Sequence, residues 1–225
     1  LALGGRASGR LTYQDAGGAP TGNAQLQLRG LTRAGLTDNS APIDMAINAA
    51  LSPTSLAARG VVQRGGQVIG RFQGRTSPLG SGPDLVVRIT NAPLLAQLRY
   101  NGEAGTLWRL TGIDALDLSG PLALAADVNG TLTNPQLRGV MRTTNATFQS
   151  FQTGTVVSGI NAVGQFDGSH LQLRNITGST RGGGTVTGSA DIDLAAAHGF
   201  AMDVRLQADH ALLIERDDLT GRVTG

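Results

Sequence analysis

Three histidines are the first candidates for acid–base or metal chemistry: His170, His198 and His210. Metal-binding and catalytic histidines come at spacings that bring two rings to one face, or beside a group that fixes their tautomer. None of the three lies in an H-x-x-H or H-E-x-x-H pattern, so each reads as a turn or surface residue. Asp191 and Asp193 share one side of "GGGTVTGSADIDL", and Asp217 and Asp218 stand together in an expected turn. Paired aspartates bind calcium in G-G-x-G-x-D-x-U-x repeats, but this stretch lacks the aspartate of that pattern. The pair reads as a solvated strand face.

Other chemistry is missing from the sequence. No G-x-S-x-G elbow, phosphate-binding loop or G-x-G-x-x-G is present. Without cysteine there is no thiolate ligand, thiol nucleophile or disulfide, and the compartment stays open. Asn129, Asn145 and Asn175 each begin an N-x-T triplet of the kind that arises by chance. These readings point to no catalytic residue, no metal and no cofactor. The function must lie in a surface.

The elements that build such a surface are strands. "RGGGTVTGSADIDL", Arg181 to Leu194, sets Val186, Gly188, Ala190, Ile192 and Leu194 against Thr187, Ser189, Asp191 and Asp193. A two-residue period of this kind gives one dry and one wet face. The same period recurs through Ile43, Met45 and Ile47, then Leu85, Val87 and Ile89, then Leu122, Leu124 and Val128. It returns in Ile160 and Phe166, and in Met202, Val204 and Leu206. Turn signals follow at Asn129-Gly130, Asn134-Pro135, Asp167-Gly168 and His198-Gly199. The pattern predicts antiparallel hairpins in a long meander, mostly β.

One segment breaks the period. Residues 91–112 predict a short helical insert between a first β-repeat segment, 1–90, and a second, 113–225. Asn91 would cap a helix with Pro93 in its first turn and Leu94, Leu95 and Leu98 on one face. Further turns from Glu103 to Thr111 would end at Gly112, with Leu107, Trp108 and Leu110 inward. The flanks repeat each other: Pro42–Gly74 and Gly159–Ile192 each run an Ile-led strand, a second strand, a Gly-Gly turn and a V-x-G strand.

Composition bears on what covers the dry face. The 225 residues are 40% hydrophobic but only 4% aromatic, and 33 are glycine. Few side chains are large enough to fill the ~10 Å between two sheet layers. Two readings stay open: an ordinary packed core, or an elongated folded-over antiparallel sheet with an apolar trough. The trough would be lined by Ile43, Met45, Ile47, Leu85, Val87, Ile89, Leu122, Leu124, Val128, Ile160, Phe166, Val186, Ile192, Met202, Val204 and Leu206. The formal charge is +2, all basic residues are arginine, and both signs are interspersed along the chain. The absence of a basic run or aromatic ladder argues against nucleic acid as a partner. No apolar run reaches the ~20 residues of a membrane helix. The chain opens in mid-pattern and closes on "GRVTG", so we expect a fragment whose anchor or export signal lies outside it.

The order of "GTLTNPQLRG", "GGGTVTGSADIDL" and "RDDLTGRVTG" in residues 107–225 resembles the C-terminal part of the TamB family, inner-membrane subunits of the translocation and assembly module in the AsmA-like group. Residues 1–106 fit only as generic repeat. The resemblance implies a periplasmic β-taco tethered to the inner membrane by a segment outside this chain, and no enzyme. It implies phospholipid acyl chains or amphipathic client strands as cargo, and an outer-membrane β-barrel partner docking elsewhere. Autotransporter and outer-membrane protein assembly, and phospholipid transport, are the functions it implies. The alternative is a structural or adhesive secreted β-solenoid stalk with a filled core that binds no lipid.

Overall fold

A computed structural model describes residues 3–33, 42–111, 115–194, 201–216 and 219–225. The described residues are mostly strand. Thirteen strands form one antiparallel sheet that is not closed into a barrel, and a separate two-stranded hairpin follows. The mostly-β antiparallel fold expected from the two-residue period is therefore the fold observed. The chain divides into two compact units, Leu1–Tyr100 with Ala125–Arg138, and Asn101–Leu124 with Gly139–Gly225.

The first unit opens with five strands: β1 (Leu3–Ala16), β2 (Ala19–Arg33), β3 (Ile43–Ser52), β4 (Ser55–Arg64) and β5 (Gln67–Thr76). Each pairs antiparallel with the next. Three of the connections are two residues long: Pro53-Thr54 joins β3 to β4, and glycine pairs, Gly17-Gly18 and Gly65-Gly66, form the other two. Gly65 and Gly66, at φ +56° and +81°, join β4 to β5 in a two-residue turn. Both central residues of such a turn need positive φ, which only glycine takes without a steric penalty.

Helix α1 (Leu85–Asn91) follows, and here the structure corrects two expectations. Leu85, Val87 and Ile89 lie on a helix, so they are no part of a strand face. Pro83 and Asp84 decide this. The Asp84 carboxylate accepts hydrogen bonds from the Val86 and Val87 amides at 2.8 and 3.2 Å, satisfying donors that a helix start leaves open. Arg88 then ties the helix to the Gly80 and Pro53 carbonyls. The second correction is the segment after Pro93. Leu94 to Glu103 is strand β6, not helix. Its residues Leu94–Tyr100 pair one for one with Gly70–Thr76 of β5, so cross-strand pairing overrides the local helical spacing of the leucines. Asn91 ends α1 instead of starting a helix.

Helix α2 (Ala104–Thr111) stands where the sequence placed its second helical stretch. It enters the second unit with β7 (Leu116–Ser119). The Trp108 indole N–H donates to the Leu116 carbonyl at 2.8 Å, which holds α2 against β7 and commits Trp108 to that contact. Gly112 lies outside the described residues.

Strands β8 (Pro121–Gly130) and β9 (Pro135–Ser150) contribute residues to both units. The second unit continues with β10 (Val156–Gly168), β11 (His170–Thr180), β12 (Thr185–Asp193) and β13 (Met202–Asp209), again consecutive antiparallel neighbours. The two stretches that repeat in sequence thus fold as β3–β4–β5 and β10–β11–β12. The hairpin of β14 (Ala211–Arg216) and β15 (Leu219–Val223) closes the described chain. Asn145 and Asn175 sit inside β9 and β11 at left-handed φ of 54° and 53°. Asparagine tolerates that conformation better than most residues, which accounts for it at both N-x-T triplets.

Candidate binding faces

Strand register determines which side chains share a face. In the first unit, four apolar rows cross β1 to β6: Ala7–Leu28–Met45–Val62–Gly70–Tyr100, Gly9–Leu26–Ile47–Gly60–Phe72–Leu98, Leu11–Ala24–Ala49–Ala58–Gly74–Ala96, and Tyr13–Gly22–Leu51–Leu56–Thr76–Leu94. Large and small residues alternate across strands. A Cβ on Gly60 would collide with the Phe72 ring, and one on Gly70 would come within 3.3 Å of the Tyr100 ring. The rings therefore lie across the glycines of neighbouring strands. This keeps that part of the face smooth although Phe72 and Tyr100 lie on it; Tyr13, the third aromatic of the rows, stands on β1. Ile43 is buried, while Met45, Ile47 and Val128 are half-buried.

The second unit builds its dry face in the same way. Phe166, Leu171, Ile192 and Met202 form one row; Gly164, Leu173, Ala190 and Val204 form the next; Ile176, Gly188 and Leu206 a third. Ile160 lies beside Gly178, which pairs with Val186, so it joins this face. Leu122 is buried and Leu124 half-buried in the same unit. Of the residues expected to line a trough, those on strands are thus gathered on the dry faces of β3, β10, β12 and β13 or placed on β8. Leu85, Val87 and Ile89 are the exceptions.

The coverage of these faces is uneven. Val186 packs with Ala208, Ala211 and Leu213, so the β14–β15 hairpin closes one end of the second unit's face as ordinary core. The Leu212 amide donates to the Thr180 hydroxyl at 2.9 Å, and the Thr155 hydroxyl donates to the Leu213 carbonyl, fixing the hairpin there. Along β13 the face is open: Met202, Val204 and Leu206 are 61, 50 and 55% exposed. Among the described residues, the largest side chain below 2% exposure is Pro20. No described leucine, isoleucine or phenylalanine is fully enclosed, in contrast to a close-packed interior.

The wet faces differ between units. In the first, register places Arg6, Arg10, Arg29, Arg59, Arg71, Arg75 and Arg99 on the face opposite the apolar rows, with Asp44 and Asp127. Arg99 pairs with Asp127 at 3.0 Å. Gln73 donates to Gln97 across β5 and β6 at 2.9 Å. Two adjoining shallow depressions of about 890 and 390 Å³ lie here, lined by arginine, glutamine and asparagine together with alanines, Val61 and Leu95, and both include Arg59 and Gln73. Reading charge along the chain misses this grouping. The signal is present strand by strand, as in Arg71-Phe72-Gln73-Gly74-Arg75, where the arginines share one parity.

In the second unit the wet face gathers carboxylates instead. His170 stands opposite Asp193 and bonds to Asp191 at 2.8 Å. That bond, and the charges of Asp191, Asp193 and Asp167, hold the imidazole pKa above its ordinary value against a smaller opposing effect of desolvation. Arg205 pairs with Asp203 at 3.1 Å. No group of three or more metal-ligating side chains is assembled among the described residues. His198, Asp217 and Asp218 lie outside them. No described helix is long and apolar enough to cross a membrane.

Comparison with family models, with curated proteins and with solved structures gives no match to this chain.

Proposed function

We propose that this chain is a non-enzymatic section of a periplasmic, inner-membrane-tethered β-sheet protein that shields acyl chains of phospholipid on its dry face. The observation that carries the reading is the apolar row structure that ends, on β13, in exposed Met202, Val204 and Leu206. An acyl chain laid over such a surface gains ~0.8 kcal/mol for each CH₂ removed from water. Small residues and rings lying flat leave a smooth bed that suits a flexible chain of no fixed shape. The resemblance of residues 107–225 to TamB proteins supports the same reading, and extends it to outer-membrane protein and autotransporter assembly with a β-barrel partner. An amphipathic client strand is the competing cargo, seated by pairing with an open strand edge.

The test is native mass spectrometry of the chain after incubation with phospholipid in the absence of detergent. We expect phospholipid adducts, lost in Ile47→Asp/Val204→Asp, a variant placed on half-buried and exposed rows so that it stays folded by circular dichroism. A lipid-free mass under all conditions would instead support the filled-core stalk, of which the Val186 cluster is the local example.

A further inference from the structure

We infer that the wet face of the first unit is a docking surface for an anionic lipid bilayer, engaged through arginine and not through the apolar rows. The first unit carries eleven arginines against five aspartates, a formal +6, in a chain whose total is +2. Seven of those arginines share a single sheet face with only two aspartates. Clustering alone would be a solubility feature. Two details make it more specific.

The first is like-charge pairing. Arg6 stands directly opposite Arg29, and Arg71 directly opposite Arg99. Cations opposite one another on adjacent strands repel and destabilise the sheet. Asp127 offsets one of the four, leaving Arg71 without a carboxylate. Arg59 lies diagonal to both Arg71 and Arg75, and none of these three has an ion-pair partner among the described residues. An external anion between them would relieve the repulsion. Guanidinium groups present paired donors in a plane that matches phosphate oxygens.

The second is Leu95. It projects from the same face in register with Arg75, and it is 67% exposed. An apolar side chain among cations fits the boundary between headgroups and acyl chains, where both are satisfied. The face also carries no aromatic residue, since Tyr13, Phe72 and Tyr100 all belong to the apolar rows. That removes the stacking platform on which single-stranded nucleic acids are bound. A sheet several strands wide does not enter a duplex groove, which admits a helix or a two-stranded ribbon. The bilayer is the polyanion this surface fits.

The experiment is co-sedimentation of the full chain with vesicles of phosphatidylcholine alone or with 30% phosphatidylglycerol. We expect binding only to the anionic vesicles, falling steeply as salt rises. Arg59→Gln/Arg71→Gln/Arg75→Gln is expected to weaken it by a factor on the order of 100. Leu95→Ser is expected to weaken it several-fold with an unchanged salt dependence. The matched control Arg142→Gln/Arg174→Gln/Arg205→Gln removes the same charge from the second unit and should bind as the parent does. Ile47→Asp/Val204→Asp should also bind normally, which separates this surface from the dry-face cargo reading. Equal binding to both vesicle types, equal loss in the two arginine triples, or tighter binding to a single-stranded DNA 30-mer would each overturn the inference.

Discussion

The two units use the same strand alternation and a similar repeated meander, yet their wet faces carry opposite charge. The second unit has seven arginines against eleven acidic residues, a formal −4, where the first has +6. In the second unit, charged groups meet partners: Arg205 with Asp203, His170 with Asp191. In the first, arginines oppose arginines. A repeat thus fixes backbone and dry face while leaving the wet face free to diverge. The alternate positions of each strand can change without disturbing the packed side. The units also differ in how their dry faces are filled. The first lays rings over glycine, whereas the second fills the same kind of gap with leucine and closes one end with a hairpin.

The largest effect we expect comes from the closed end of the second unit. Val186→Asp would place a charge in the cluster with Ala208, Ala211 and Leu213, without a partner. A loss of about 3 kcal/mol is expected in denaturant unfolding. The same change at Val204, on the open part of the same face, should stay within about 0.5 kcal/mol. Equal losses at both sites would show that β13 is covered in solution, and the contrast between closed and open ends would fail.

Next in size is the filling of the glycine gaps. Gly60→Ala drives a Cβ into the Phe72 ring and to within 2.9 Å of the Ala46 carbonyl oxygen, neither of which yields easily. A cost of roughly 1–3 kcal/mol follows from overpacking. Gly164→Ala in the second unit meets the Cδ1 of Leu171 and the Cδ2 of Leu173, each at 2.9 Å, the far ends of flexible side chains. Its cost should be smaller, below about 1 kcal/mol. Adding Phe72→Ala to Gly60→Ala should restore part of the loss, while Leu171→Ala should do little for Gly164→Ala. Identical costs would mean that rings and leucines fill the gaps alike.

Smaller still is the charge effect on the first unit. Arg71→Gln removes one member of a like-charge pair and should raise stability by a few tenths of a kcal/mol. The gain should shrink as salt screens the repulsion. A destabilised variant would mean that Arg71 has a partner in solution and would weaken the case for an external anion.

The strand periods were legible in the sequence because alternation of side chains is a direct consequence of the pleat. Ile43–Ile47, Ile160–Phe166 and Val186–Ile192 all lie on strands for that reason. Leu85, Val87 and Ile89 show the same alternation and form a helix, because Asp84 caps the segment and Val86 fills the opposite parity with another apolar residue. Leu94 to Glu103 shows the reverse: its leucines have helical spacing, but an open strand edge on β5 takes them into the sheet. Both errors arise where a partner distant in sequence, or a cap of one residue, outweighs the local period. The arginine face was hidden differently. Its members are spread over β1, β2, β4, β5 and β6, and only the register brings them together.

The last expected effect belongs to His170, and its sign follows from its neighbours. Asp191, in hydrogen-bond contact at 2.8 Å, with Asp193 and Asp167 near, favours the imidazolium in the folded chain and raises its pKa. A raised folded-state pKa adds stability that is complete below the unfolded value of about 6.5. That stability is lost as the pH rises through the folded value. His170→Asn should therefore lower the melting temperature slightly below about pH 6 and leave it unchanged above about pH 9. The ring is exposed, so solvent and salt keep the effect small. A difference that grows toward alkaline pH would contradict the pairing with Asp191. It would also remove the clearest instance of a partnered charge on the second unit's wet face, against which the unpartnered arginines of the first are set.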